Sequence, residues 1–252
     1  PGGCGIKKEK TSDSELPEIV IGIDYFEPYS YQTSDGEYKG IDVELAKEAF
    51  QRLGYQPKFE NIVWEDKDEL LADGTVDCLW SSYSMNGRED KYQWAGPYLY
   101  SRQMVVVKNE SEIQTLSDLK GKRIAVQATT KAEDLFLHNI KSDLPQMQQV
   151  NCFSTTNEIY AALRKNYVDA IAGHEAMLGS LVKEGKDAYR MLDESIYKSE
   201  LGVAFKKGTH EEVAADLTEI LKKLQREGIT EKIVTKYGLD ADEILPEGEQ
   251  NE

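Results

Sequence analysis

Three cysteines in 252 residues are too few and too widely spaced to build a disulfide framework. Cys78 and Cys152 sit in apolar, strand-like segments, a setting that suits buried thiols, and no bridge is expected between them. Histidine is equally sparse: His138, His174 and His210 are scattered. No Ser/His/Asp order, metal-ligand spacing or phosphate-binding glycine loop is found, so neither a metal nor a cofactor is expected. No apolar run approaches the ~20 residues that cross a bilayer, so the chain as given reads as soluble, with any membrane attachment coming from elsewhere. Positive charge is in deficit. Lys and Arg number 30 against 46 Asp and Glu, and the formal charge of −16 repels nucleic acid phosphates and anionic head groups. That argues against a nucleic acid partner, although an acidic surface says little about the sign of a small ligand. Short-period repeats and low-complexity tracts are also missing, which excludes solenoids and propellers.

What is present is an alternation of strand-like and helix-like segments, with 40% hydrophobic residues, enough to build one large domain or two small ones. Ile19 to Ile23 is a short apolar run ending at Asp24; Ile41 to Leu53 has helical spacing and is stopped by Gly54. Tyr55 to Phe59 reads as a strand, Glu65 to Asp73 as a helix, and Val76 to Trp80 as a buried strand. After the strand Met104 to Val107 the pattern starts again: strand Ile124 to Val126, helix Lys131 to Ile140, strand Gln149 to Phe153, helix Thr156 to Lys165, strand Tyr167 to Ala172. A late strand, Glu200 to Phe205, precedes a long helix, His210 to Glu227, whose Val213, Leu217, Ile220, Leu221 and Leu224 keep helical spacing. The ends differ in character. Residues 1–17 form a polar leader, and residues 241–252 lie in an acidic tail.

The stretch richest in chemistry is Ser81 to Arg88, SSYSMNGR, directly behind the apolar strand. There Ser82, Ser84 and Arg88 fall where a strand of an open α/β sheet ends and a ligand crevice opens. A guanidinium fork matches a carboxylate with two parallel bonds, and hydroxyls add more. A plain polar turn with a solvated Arg88 fits the residues equally well.

Several ordered segments together resemble the bacterial extracellular solute-binding proteins of polar amino acid ABC transporters, over roughly Glu18 to Gly238. They are Asp24 to Tyr31 (DYFEPYSY), Gly40 to Ala46 (GIDVELA), Gly74 to Asp77, Asp118 to Lys122 with Val126 to Thr130 (VQATT), Val168 to Ala170, and Ile233 to Gly238. The resemblance implies two Rossmann-like α/β lobes joined by two hinge strands, the type II periplasmic-binding-protein arrangement, closing on a ligand between them. Lobe one would comprise residues 18–105 and 200–240, lobe two residues 106–199, with hinges at Met104 to Lys108 and Tyr197 to Leu201. By the same resemblance Pro1 to Gly5 looks like the mature end of a lipoprotein with Cys4 as the lipid-bearing residue. A fusion scar is the competing reading of that segment.

The resemblance also carries site residues. Arg88 matches the arginine that pairs with an amino acid's carboxylate, with Ser84, Thr129 and Thr130 as neighbouring donors; Tyr83 lies within the same cluster. Ser82 matches the acceptor for the ligand's ammonium. Phe26 and Trp64 match aromatics that sandwich the side chain, and Asp24 the position that sets side-chain selectivity. Two departures stand out. Gly87 occupies a place where glutamate is common, and His174 one where aspartate usually receives the ammonium, leaving Glu175 beside it to supply negative charge. The implied function is a non-enzymatic, monomeric receptor outside the cell that hands a free amino acid to a membrane permease. Two alternatives stay open: a dehydratase-like enzyme on the same scaffold, with His174 and Glu175 as acid or base, and the sensing module of a receptor.

Overall fold

The computed structural model describes residues 15–141 and 143–247. Cys4 therefore lies outside the described residues. In chain order the strands are β1 (Glu18–Ile23), β2 (Tyr31–Gln32), β3 (Tyr38–Lys39), β4 (Gln56–Asn61), β5 (Cys78–Ser84), β6 (Tyr92–Lys108), β7 (Arg123–Gln127), β8 (Gln149–Phe153), β9 (Ala170–His174), β10 (Tyr189–Met191) and β11 (Tyr197–Lys206). The helices are α1 (Ile41–Arg52), α2 (Lys67–Ala72), α3 (Lys131–Phe136), α4 (Thr156–Arg164), α5 (Glu175–Glu184), α6 (Glu211–Arg226), α7 (Ile229–Lys236) and α8 (Ala241–Ile244).

The strands follow the order β4-β1-β5-β11-β6-β9-β7-β8, with β10 added beside β6. Two parallel units lie at the ends of this path, β4-β1-β5 and β9-β7-β8, and the antiparallel pair β6 and β11 joins them. Strand β6 exchanges partners at Gln103, which pairs with Tyr197 of β11 and with His174 of β9. Each parallel unit is a lobe with helices on its faces, because a strand-to-parallel-strand crossover needs a helix that packs back on the sheet.

Burial follows the apolar pattern. Ile19, Ile21 and Ile23 of β1 are buried, in a cluster that joins them to Phe50 of α1 and to Leu217, Leu221 and Leu224 of α6 and runs on to Ala125, Ile159 and Ile171 of lobe two. Truncating Leu217 to Ala would cost roughly 2–5 kcal/mol, since a fully enclosed leucine leaves a cavity. A second cluster in lobe two gathers Val105, Ile124, Val126, Leu135 and Ala170.

Gly40 fixes the segment that carries Asp24 and Phe26. Its φ of 120° lies in the left-handed region, and a Cβ there would stand 2.3 Å from the Tyr29 carbonyl oxygen. Only with glycine does α1 start against this segment, with Ile41 and Asp42 donating to the Pro28 and Tyr29 carbonyls.

Several element ends differ from the sequence-based expectation. Strand β5 runs on through Ser84, so the serine cluster lies within the strand's last turns of pleat rather than behind it. Helix α3 ends at Phe136 instead of Ile140, with Asn139 in the left-handed region at φ 50°. The acidic tail contributes α8, and Gln225 Nε2 donates to the Pro246 carbonyl. Cys78 is buried as expected, but Cys152 is exposed; both thiols are free.

Candidate functional site

Four strand ends meet in one crevice. Asp24 follows β1, Ser82 and Ser84 close β5, Gln127 ends β7 and His174 ends β9, all at the carboxyl ends of parallel strands where open α/β sheets bind ligands. A small cavity lies between them. Lobe one lines it with Asp24, Phe26, Trp64 and the run Ser81 to Ser84; lobe two with Gln127, Thr130, Lys131 and His174.

The serine hydroxyls are the most telling atoms. Ser82 Oγ and Ser84 Oγ are buried and have no hydrogen-bond partner among the described residues. A buried hydroxyl left unpaired costs about 1–3 kcal/mol, so each of these atoms calls for a polar partner. Ser82 also holds a left-handed φ of 50°, a strained state for a residue with a Cβ. Its amide is pinned to Asp42 Oδ2 at 2.7 Å, while the Tyr98 hydroxyl donates to Asp42 Oδ1 at 2.7 Å. Burial raises the Asp42 carboxyl to about 7, against the lowering effect of those two bonds.

Arg88 stands behind this wall. Nη1 donates to the Ser84 carbonyl at 3.0 Å, Nη2 to Asp134 Oδ2 at 2.8 Å, and Cζ lies 5.1 Å from the centre of the Tyr83 ring. Its loop turns at Gly87, whose φ of 78° explains a glycine where a glutamate would be strained. The Arg88 amide closes that turn on the Met85 carbonyl.

Aromatic rings form the floor. Trp64 packs edge-on to Tyr83 at 5.0 Å, and Phe26 meets the His174 ring at 5.5 Å and 90°. Asp24 Oδ2 accepts from Gln127 Nε2 at 2.6 Å, a bond between the lobes; burial raises its carboxyl to about 6 despite that bond and the Tyr25 amide.

Thr130 Oγ1 donates to the Gln127 carbonyl at 2.7 Å, and the Thr129 amide donates to Glu133. Thr129 itself is not part of the cavity lining; its Oγ1 is buried and unpartnered among the described residues. His174 is buried, with Nδ1 2.8 Å from Ser101 Oγ and 3.3 Å from Gln103 Nε2. Burial first, and the Arg88 charge second, push its pKa down to about 3, so the imidazole is neutral.

Glu175, like Thr129 and Arg88, is absent from the cavity lining. Arg102 of β6 grips its carboxylate with both Nε and Nη2, and it lines a separate surface depression with Glu27, Lys183 and Glu243. The helix that starts after His174 carries the side chain to the outer face, so it brings no charge to an ammonium held beside His174. The sequence reading missed Ser81, Gln127 and Lys131. Gln127 was visible in principle, since it ends an apolar strand just as Asp24 does; Lys131 carried no signal beyond following Thr130.

The chain belongs to the bacterial extracellular solute-binding proteins, family 3, whose model matches residues 19–240. It is 26% identical over 227 residues to the L-cystine-binding protein TcyJ of Escherichia coli strain K12, covering 88% of this chain and 83% of that protein. Among solved structures, it resembles an ABC uptake transporter substrate-binding protein from Streptococcus pneumoniae with bound histidine, at TM-score 0.80 and 26% identity over 88% of this chain and 93% of that one. It is likewise similar to the substrate-binding protein of an amino acid ABC transporter, at TM-score 0.78 and 26% identity over 87% and 98% of the two chains. Among the described residues, no helix is long and apolar enough to cross a membrane.

Proposed function

We propose that this chain is the substrate receptor of an ABC importer, that it binds a free amino acid or close derivative between its lobes, and that it delivers this ligand to a membrane permease. The observation that carries the reading is the pair of buried, unpartnered hydroxyls of Ser82 and Ser84 in a cavity walled by both lobes, with the Arg88 charge directly behind. Lobe one is residues 18–105 and 200–240, and lobe two residues 106–199. The carboxylate lies at the end formed by Ser84, Thr130 and Arg88, with Thr129 setting the turn. The ammonium faces Ser82 and the neutral ring of His174. Phe26, Trp64 and Tyr83 enclose the side chain, and Asp24 selects among side chains by its carboxylate.

The reading is non-catalytic. His174 stays neutral within its Ser101 and Gln103 contacts, and Glu175 is tied to Arg102 outside the cavity, so the two do not form an acid and base pair. The protein acts outside the cell as a monomer, held to the membrane by lipid at Cys4. Calorimetry and thermal shift against the twenty common L-amino acids and L-cystine test the core of this reading, because a ligand selective for the native state raises its melting temperature. A ligand with micromolar or tighter affinity is expected; no binding by any of them overturns it.

A further inference from the structure

Among the described residues, the cavity lining holds one basic residue, Lys131. Its residue is only 3% exposed, and it starts at the first position of α3 in lobe two. The side chain crosses to lobe one, where Nζ donates to the Asn86 carbonyl, and it stands 3.5 Å from Asp134 Oδ2. An ammonium has three donors and no acceptor. The Asn86 carbonyl engages one of them, Asp134 is an ion-pair neighbour shared with Arg88 at 2.8 Å, and the Tyr197 ring centre lies 5.7 Å from Nζ. Burying an ammonium is costly unless charge and hydrogen bonds compensate for it, and a carbonyl plus a shared carboxylate leave that compensation incomplete. Burial, followed by the Arg88 charge, holds the Lys131 pKa below its usual value. Lys131 lines the same cavity as the unpartnered Ser82 and Ser84 hydroxyls, whereas Arg88 stands outside that lining.

We propose that Lys131 is the direct charged partner of the ligand's carboxylate, brought to it by lobe two on closure. The inference rests on the receptor reading and adds a specificity-determining residue to it. Arg88 belongs to lobe one and offers its charge whether the lobes are open or closed. Lys131 completes the grip only once they meet, so it acts mainly on ligand release.

The test compares the tightest-binding amino acid of the panel with its decarboxylated amine, for wild type, Lys131→Gln and Lys131→Arg. Lys131→Gln is expected to weaken the amino acid at least tenfold, chiefly through faster dissociation, and to leave the amine within twofold; Lys131→Arg restores part of the loss. An equal loss for both ligands means that Lys131 only latches the lobes, and no loss means that it is idle; either overturns the proposal. A second measurement needs no variant. In wild-type protein carrying 15N-labelled lysine, the Lys131 pKa is expected to rise on amino acid binding, because a carboxylate neighbour favours the charged form while further burial alone lowers it. A fall or no change overturns the proposal. If wild-type protein binds no amino acid, the receptor reading itself has failed, a result distinct from both.

Discussion

Arg88 of lobe one and Asp134 of lobe two share an ion pair of 2.8 Å, so the guanidinium assigned to the ligand end is also a tie between the lobes. The Arg88 side chain is 11% exposed and that of Asp134 27%, which sets the pair between a surface bridge and a buried one. On the proposed reading, closure and the carboxylate end both draw on the Arg88 cation. A double-mutant cycle of Arg88→Ala and Asp134→Asn, read by urea denaturation without ligand, is expected to give a coupling of about 1 kcal/mol. Arg88→Ala should in addition abolish amino acid binding in calorimetry; retained affinity would show that the guanidinium plays no part at the carboxylate end.

Ser82 offers a sharper contrast between stability and function. Its hydroxyl has no hydrogen-bond partner among the described residues, so Ser82→Ala removes a buried polar group and keeps the amide bond to Asp42. Stability should hold or rise by up to about 1 kcal/mol. Ligand affinity should fall about tenfold, measured on the same preparation. A loss of stability without a loss of affinity would identify Ser82 as scaffold only.

His174 titrates far below its ordinary range, at about 3 against 6.5. Between these values the unfolded chain binds a proton that the folded protein does not, so this term stabilises fully above pH 6.5 and is lost as pH falls toward 3. Ligand affinity is accordingly expected to show no histidine titration from pH 5 to 8. Isothermal titrations across that range, for wild type and His174→Gln, should give parallel profiles. His174→Ala should destabilise by about 1–3 kcal/mol, because Ser101 and Gln103 lose their ring partner.

Asp42 shifts in the opposite direction. With the folded carboxyl at about 7 and an ordinary value of 3.8, the folded protein holds a proton the unfolded chain has released. Its contribution is present below pH 4 and is lost as pH rises to about 7. Asp42→Asn removes this dependence, so the mutant should gain on wild type by roughly 4 kcal/mol between pH 4 and pH 8. Urea midpoints at half-unit steps of pH would show it; a constant difference would refute the shift.

The Asp24 and Gln127 bond predicts selectivity. Asp24→Asn leaves a partner for the Gln127 amide but removes the only carboxylate in the cavity lining. Ligands with a cationic side chain should lose affinity about tenfold relative to neutral ones in competition assays. An unchanged ranking would place Asp24 outside selectivity.

Much of this molecule was legible before its structure. Apolar runs of four to six residues, each followed by a helical period and a glycine, determine α/β units by local physics alone, since burying one face of a strand and one stripe of a helix needs that spacing. The ordered motifs from Asp24 to Gly238 added the two-lobed arrangement, and the SSYSMNGR run supplied Ser81 to Ser84 of the cavity lining. Distance in sequence hid the rest. Lys131 lies 45 residues from Asn86, and Asp134 46 from Arg88, and only the packing of the two lobes brings these pairs together. Glu175 shows the converse. It neighbours His174 in the chain, yet β9 gives way to α5 at that point, and the helical turn sends its carboxylate to Arg102 on the outer face. Sequence alone determined which residues carry charge and where strands end. Tertiary structure decided which of those residues line the cavity between the lobes, because orientation is set by the element that follows each strand and by contacts from the opposite lobe.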